Sequence, residues 1–277
     1  MIFEDKFVAF VDVLGFSGMV EAAEAAADAG DQDAVPRLLN LLTQLGTKAD
    51  KERFAKQGPI TCPHSPRVRK DLAFELTQIS DCVIVSAEVS PAGVINLVSH
   101  CWDAVVQLLE QGVMCRGYIT RGRVYHTETQ VLGSAYQKAY RAESQVAAFR
   151  READERGTPF VEVDRVVADY VKATGDWCSN EMFLRMVADD GDVVALFPFK
   201  RFSHSFIIDR NTDPERERES NNNLRNWLID LKRRVRAGVV ASRPDAQRKA
   251  EHYIRALDTQ LEMCDKTDDF INRFLKN

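Results

Sequence analysis

The chain has 277 residues, of which 45% are hydrophobic and 29% charged, a composition typical of globular proteins. A net charge of −5 excludes the global basic field that binds nucleic acid or an anionic membrane surface. The six cysteines lack CxxC and zinc-finger spacing, and the acidic N-terminus lacks the basic region of a signal peptide. No stretch approaches the length of a membrane span. We therefore expect a cytoplasmic protein with free thiols.

The first third of the chain predicts a strand, a helical region and a hairpin. Residues 6–13 (KFVAFVDV) are apolar and β-rich, as in a buried strand. A glycine-containing turn over 14–18 leads into a helical stretch over 18–46, interrupted near Gly30. Prolines and basic residues predict a loop or insertion over 46–71. Two β-rich runs flank Ser80-Asp81, which predicts a hairpin with an acid at its tip.

The central part predicts a long helix, a strand and a second helix. Ser90 followed by Pro91 is typical of a helix start, and Gly112 ends that helix. Residues 113–126 predict a strand that turns through Arg121-Gly122. The next helix begins after Gly133-Ser134 and continues to about Ala147.

The last part completes the predicted architecture. Residues 159–171 predict a short strand and helix, and 192–199 another strand. This order of elements favours an α+β fold, a ferredoxin-like, mostly antiparallel sheet with helices on one face. We assign residues 1–205 to that domain and 206–277 to a helical extension, with amphipathic helices at about 221–240 and 244–275.

Three segments carry the chemistry: 10–16 (FVDVLGF), 79–82 (ISDC) and 133–143 (GSAYQKAYRAE). In this order they resemble the F-x-D-(I/V)-x-G-F strand, the I-G-D-C hairpin and the G-x-A-V-N-x-A-x-R-x-E helix of class III nucleotidyl cyclases. The resemblance spans about residues 7–145. It implies that the chain converts a nucleoside triphosphate into a 3′,5′-cyclic monophosphate and pyrophosphate.

The two acids in these segments are the candidate metal ligands. Mg²⁺ and Mn²⁺ prefer hard oxygen ligands, and carboxylates on neighbouring strands can bridge two such ions. We assign that role to Asp12 and Asp81, and the resemblance adds the main-chain carbonyl of Val13. Asp12 follows an apolar run, where a carboxylate without a partner is costly.

Phosphate and transition-state contacts are assigned to the turn and to arginines. The turn formed by Leu14, Gly15, Phe16 and Ser17 leads into a helix N-terminus, whose N–H groups suit phosphates. Further phosphate candidates lie on the following strand at Arg116 and Arg121.

The helix over 133–143 supplies the remaining catalytic candidates. Arg141 matches the family's transition-state arginine, a role that a fixed guanidinium suits. Gln137 stands where the family has the asparagine that orients the ribose, and an i, i+4 spacing places it on the same helix face as Arg141. Class III sites take their acids from one domain and their arginine from another, so the resemblance implies a homodimer with shared sites.

The base specificity departs from that of purine cyclases. Those enzymes have a lysine four residues before the hairpin acid and an acid three residues before the helix glycine, where this chain has Thr77 and Gln130. This departure and the YITRG strand resemble the bacterial pyrimidine cyclases of Pycsar antiphage systems, whose cyclic UMP or cyclic CMP activates a separate effector protein. A glutamine amide satisfies either pyrimidine, so UTP and CTP stay open, with UTP preferred.

Two other functions fit parts of the sequence. A catalytically inactive nucleotide sensor can use the same fold, since fold alone does not establish activity. A polymerase-palm or dinucleotide-cyclase relative shares the ferredoxin-like core, but no GGDEF-like hairpin occurs in this chain. The complete set of acids and arginine favours the active cyclase.

Overall fold

The structure is a computed structural model, and it divides the chain into two compact units. One unit comprises Met1–Leu108 and Met114–Phe197, and the other comprises Leu109–Val113 and Pro198–Asn277. The described residues are 2–47, 49–52, 72–189, 191, 193–199, 213–239 and 244–274. Most of the predicted loop over 46–71, and the predicted boundary between residues 205 and 206, lie outside them.

The first unit has an α+β architecture. Its strands are β1 (Glu4–Val13), β2 (Phe74–Ile79), β3 (Cys82–Glu88), β4 (Cys115–His126), β5 (Val131–Leu132), β6 (Val161–Val163), β7 (Val187–Asp189) and β8 (Val194–Leu196). Its helices are α1 (Phe16–Asp28), α2 (Ala34–Leu42), α3 (Pro91–Glu110, whose last two residues belong to the second unit), α4 (Ser134–Glu143), α5 (Arg165–Ala173) and α6 (Trp177–Met186). The second unit contains α7 (Pro214–Ala237) and α8 (Pro244–Phe274).

The strands form one mixed sheet in the order β2-β3-β1-β4-β6-β8-β7, with β5 paired to β4. Among the described strands, only the β4–β6 pair is parallel, and the other pairs are antiparallel. The predicted α+β class and the mostly antiparallel sheet are confirmed. Because β1 lies in the interior of the sheet between β3 and β4, the end of β1 is a place where three strands meet.

Helices cover both faces of the sheet. Alternate residues of a strand point to opposite faces, so Phe7 and Phe10 lie on different sides of β1. On the Phe7 side, the ring of Tyr170 in α5 lies 5.1 Å from that of Phe7. On the Phe10 side, Phe10 clusters with Ala135 and Ala139 of α4. The predicted arrangement with helices on one face is therefore wrong, because α4 packs its alanines closely against the opposite face.

Several predicted elements are confirmed. The first strand, the hairpin of β2 and β3, the interruption near Gly30 and the strands within 159–171 and 192–199 are present. The start of α3 is also as predicted, since the Ser90 hydroxyl accepts a hydrogen bond from the Gly93 N–H at 3.0 Å. These elements carry strong local signals, in the form of apolar runs and capping residues.

Other boundaries differ from the prediction. No turn occurs at Arg121-Gly122, because β4 pairs with β1 without a break from Cys115 to Val124. A side chain at Gly122 would lie 3.4 Å from the Ala135 Cβ, so this glycine allows close packing of α4. Helix α1 begins two residues earlier than predicted, at Phe16, and α4 ends four residues earlier, at Glu143.

Two helix starts were misplaced or missed. Helix α7 begins at Pro214 instead of about residue 221, because the Asp213 carboxylate accepts hydrogen bonds from the next N–H groups and proline occupies the first position. Helix α6 was not predicted, although Asp176 caps it by accepting a hydrogen bond from the Ser179 N–H at 2.8 Å. In both cases an aspartate cap was the available signal.

The apolar helix and the cysteines also correct the sequence expectations. By length and composition α3 could cross a membrane, since an 18-residue segment of it has a mean hydropathy of 1.3. In the structure, 78% of that segment is buried. This burial is what a core helix of a soluble protein shows.

Cys82, Cys101, Cys115 and Cys264 carry free thiols, whereas Cys178 is disulfide-bonded, so the expectation of free thiols throughout is wrong.

Candidate active site at the end of the central strand

Asp12 lies next to the last residue of β1, where two neighbouring strands hold it in place. It pairs with Cys82 of β3 on one side and with Arg116 of β4 on the other. Its side chain is half-buried and follows a run of buried residues from Phe7 to Val11. Strand alternation places Asp12 on the Phe10 side of the sheet, which is the side that α4 covers.

Asp81 lies in the tight turn between β2 and β3, beside the end of β1. Ser80 takes a left-handed conformation with φ of 53°, which a two-residue hairpin turn requires. The Asp81 carbonyl accepts a hydrogen bond from the Val13 N–H at 3.0 Å. This bond joins the hairpin tip to the residue that follows Asp12.

The thiol of Cys82 reports on both acids. Burial and, to a smaller extent, the negative charges of Asp12 and Asp81 raise the pKa of Cys82 to about 11. Asp12 pairs with Cys82 across the strands, and Asp81 directly precedes Cys82 in the chain, so both acids are neighbours of one residue. The structure thus brings Asp12 and Asp81 together at one end of the sheet.

The donor set at this end is made of hard oxygen atoms. The two carboxylates lie beside Val13, whose main-chain carbonyl is the third predicted ligand. Within the described parts of the chain, no three His, Cys, Asp or Glu side chains form a group that can hold a metal ion. A cation bound here would therefore need carbonyl, water or substrate oxygens besides the two carboxylates, a set that suits Mg²⁺ and Mn²⁺.

The turn after β1 places a glycine in a left-handed conformation at the N-terminus of α1. Gly15 has φ of 79° and precedes the first residue of α1, and a side chain added there would meet no atom within 4 Å. The Gly15 carbonyl accepts hydrogen bonds from the N–H groups of Gly18 and Met19. Leu14 and Phe16 are half-buried and Ser17 is exposed. The open N-terminus of α1 therefore lies three to five residues from Asp12.

Arg116 and Arg121 have different surroundings, and only Arg116 lies near the acids. Arg116 pairs directly opposite Asp12 and forms an ion pair with Glu143 at the end of α4. The side chains of that pair are 15% and 10% exposed. Arg121 pairs with Phe7, so it lies on the other face of the sheet, where it binds Asp5 with an N–O distance of 2.8 Å. The structure does not bring Arg121 to the acids.

The outer surface of α4 carries Gln137 and Arg141. Ala135, Ala139 and Glu143, which are spaced four residues apart, are buried. Gln137 and Arg141 lie about half a turn away from that inner row, and both are exposed. They line an open groove of about 460 Å³ whose other lining residues are Ser134, Lys138 and Ala142. Arg141 therefore points away from the sheet face that carries Asp12 of the same chain.

The predicted base-reading residues meet at the turn between β4 and β5. The Thr77 hydroxyl lies 3.2 Å from the carbonyl of Thr127 and 3.4 Å from that of Glu128. Gln130 is exposed, and its carbonyl accepts a hydrogen bond from the Thr127 N–H at 2.9 Å. Two residues that are 53 positions apart in sequence thus border one turn.

Sequence reasoning did not single out three residues that hold the site together. Glu143 neutralises Arg116, His126 contacts the Thr77 hydroxyl, and Asp164 pairs with Lys138 of the groove. Glu143 ends the third motif and was available as a signal. His126 and Asp164 gave none, because their partners are 49 and 26 residues away in sequence.

Comparisons with family models and with curated proteins identify no relative of the chain: no protein-family model matches it, and no curated protein matches it.

Proposed function

We propose that the chain is a class III-type nucleotide cyclase that converts a pyrimidine nucleoside triphosphate into its 3′,5′-cyclic monophosphate and pyrophosphate. UTP is the preferred substrate and CTP the alternative. The observation that carries the proposal is the position of both acids at the end of β1: Asp12 pairs with Cys82, and the Asp81 carbonyl accepts a hydrogen bond from the Val13 N–H. The outward position of Arg141 on α4 is the second support.

The topology around the acids also supports this function. Strands β1 to β4 have the spatial order β2-β3-β1-β4, and each neighbouring pair is antiparallel. Helices lie between β1 and β2 and between β3 and β4 in sequence. This is the β-α-β-β-α-β order of a ferredoxin-like unit, which is the core that the resemblance implies.

The residues of the chain have distinct tasks in the proposed reaction. The ribose 3′-oxygen attacks the α-phosphorus, and pyrophosphate leaves. Asp12, Asp81 and the Val13 carbonyl would hold two divalent ions, Mn²⁺ or Mg²⁺, which would lower the pKa of the ribose hydroxyl and neutralise charge on the phosphates. The N–H groups at the start of α1 donate hydrogen bonds to the outer phosphates, and the space around Gly15 is open.

Arg141 and Gln137 complete the site from a second copy of the chain. Because these side chains point away from the sheet face that carries Asp12, they do not reach the acids of their own chain. A two-fold dimer presents each groove to the acids of the partner and forms two equivalent sites. In such a site the guanidinium of Arg141 stabilises charge on the phosphoryl oxygens, and Gln137 orients the ribose.

Base recognition is assigned to the turn between β4 and β5. The Thr77 hydroxyl and the Gln130 amide are neutral groups that suit a pyrimidine edge with donors and acceptors side by side. We further propose that the cyclic product acts on a separate effector protein in bacterial antiphage defence, in a cytoplasmic setting without nucleic acid or membrane as partner.

Purified protein incubated with ATP, GTP, UTP and CTP in the presence of Mn²⁺ is expected to release a cyclic pyrimidine nucleotide, identified by mass spectrometry. Cyclic UMP is expected to be the main product. The matched control is Asp12→Asn, which keeps the side-chain shape but removes the charge. Absence of a cyclic product from all four nucleotides would contradict the proposal and favour a nucleotide sensor.

The shared site makes a second prediction about mixed dimers. Asp12→Ala and Arg141→Ala are each expected to be inactive, but their equimolar mixture regains about a quarter of wild-type activity. Half of randomly formed dimers are mixed, and each mixed dimer has one intact site of two. Arg185→Ala, an exposed arginine on α6, is the control and stays active. No recovery on mixing, after subunit exchange has been verified, would contradict sites shared between chains.

A further inference from the structure

His126 is a buried residue to which the proposed mechanism gives no task. It is the last residue of β4 and only 6% exposed. Its Nδ1 lies 2.8 Å from the Ser86 hydroxyl of β3, and its Nε2 lies 3.0 Å from the Thr77 hydroxyl of β2. The imidazole therefore links three strands at the side of the sheet where Thr77 borders the β4–β5 turn.

The groups around the Thr77 hydroxyl determine the acceptor to which it donates its one hydrogen bond. Besides the imidazole, its hydroxyl oxygen is near the carbonyls of Thr127 and Glu128, which only accept hydrogen bonds. The hydroxyl proton satisfies one of these carbonyls when His126 Nε2 carries a proton and donates to Thr77. In that tautomer Nδ1 accepts from the Ser86 hydroxyl, and the three side chains form a consistent chain of donors.

Burial, together with nearby positive charges, keeps the imidazole neutral. Burial lowers the pKa of His126 to about 4, and the ammonium groups of Lys6 and Lys51 act in the same direction. Lys6 forms an ion pair with Glu4 and Lys51 with Glu75. At neutral pH the imidazole therefore has one proton and one lone pair, which is the form that the hydrogen-bond chain requires.

We propose that His126 is a positioning residue for base recognition, which holds the Thr77 hydroxyl so that Thr77 presents a lone pair to the N3–H group of uracil, where cytosine has a ring nitrogen that only accepts. The proton of Thr77 is directed to the Thr127 or Glu128 carbonyl, and one lone pair is taken by Nε2–H, so one acceptor position is left. This inference rests on the proposed cyclase function. It names the part of the chain that discriminates between a uracil and a cytosine edge.

The test measures the ratio of cyclic UMP to cyclic CMP made from an equimolar mixture of UTP and CTP. A product ratio is independent of how much enzyme is folded, so a merely structural role does not change it. Thr77→Val and His126→Phe are each expected to lower the ratio of cyclic UMP to cyclic CMP about fivefold, which brings it closer to one. This is the effect of one neutral hydrogen bond. The double variant is expected to move it no further than either single variant.

His100→Phe is the matched control. His100 is also a buried imidazole, 7% exposed, and its Nε2 lies 3.0 Å from the Leu45 carbonyl, away from Thr77. Its product ratio is expected to equal that of the wild type. An unchanged ratio in His126→Phe would overturn the inference and leave the proposed function intact, whereas absence of any cyclic product from the wild type would overturn both.

Discussion

Asp12→Ala is expected to lower the rate of cyclic-nucleotide formation by about 1000-fold or more. The carboxylate is one of two side chains proposed to hold the metal ions, and such ions supply several kcal/mol of transition-state charge stabilisation. A loss of about 4 kcal/mol corresponds to a factor of about 1000 in rate. The measurement is product formation under saturating UTP and Mn²⁺, followed by mass spectrometry.

Asp5→Ala is the control for this experiment, because it removes the same side chain from the same strand. Asp5 is exposed and pairs with Arg121 on the sheet face that does not carry Asp12. The control is expected to keep wild-type turnover. Circular dichroism of the Asp12 variant checks that the sheet is formed, and wild-type turnover in that variant would exclude Asp12 from the mechanism.

The stability of the protein is expected to fall between pH 7.5 and pH 5, with a contribution of about 2 kcal/mol from His126. Burial lowers the pKa of His126 from 6.5 to about 4. The unfolded chain therefore binds this proton as pH falls below 6.5, while the folded chain does not until about pH 4. The contribution of the neutral imidazole to the free energy of unfolding is complete above pH 6.5 and is lost progressively toward pH 4.

Urea denaturation of wild type and His126→Phe at the two pH values isolates this contribution. The wild type is expected to lose about 2 kcal/mol more than the variant between pH 7.5 and pH 5. Thr77→Val is the control, since it removes a hydrogen bond of the imidazole but no titrating group. Its free energy of unfolding is expected to depend on pH as steeply as that of the wild type. Equal pH dependence of wild type and His126→Phe would show that the imidazole has the same pKa in the folded and the unfolded chain.

Most of the α+β architecture could be predicted because its signals are local. The apolar run before Asp12 predicts β1, the paired β-rich runs predict the hairpin, and Ser90 with Pro91 predicts the start of α3. The placement of α4 could not be predicted in this way. Its alanines pack against the sheet through Gly122, which the sequence alone suggested to be a turn. A glycine allows both a turn and close packing, and only the neighbouring element decides between them.

The candidate site shows the same division. The motifs identify Asp12, Asp81 and Arg141 by residue type and spacing, and they imply which groups act on phosphate. They do not separate Arg116 from Arg121, which differ by five positions on one strand. An odd separation places them on opposite faces, and their partners Glu143 and Asp5 come from distant segments.

The sequence by itself determined the chemical inventory: two acids, a glycine turn, a basic helix and an acidic chain with ordinary globular composition. The tertiary structure decided which of these groups meet, because strand pairing sets the neighbours of Asp12 and helix packing turns Arg141 outward. It also revealed the chain of Ser86, His126 and Thr77. Such contacts join residues 40 and 49 positions apart, so no local pattern encodes them, and only the pairing of whole strands brings them within hydrogen-bond distance.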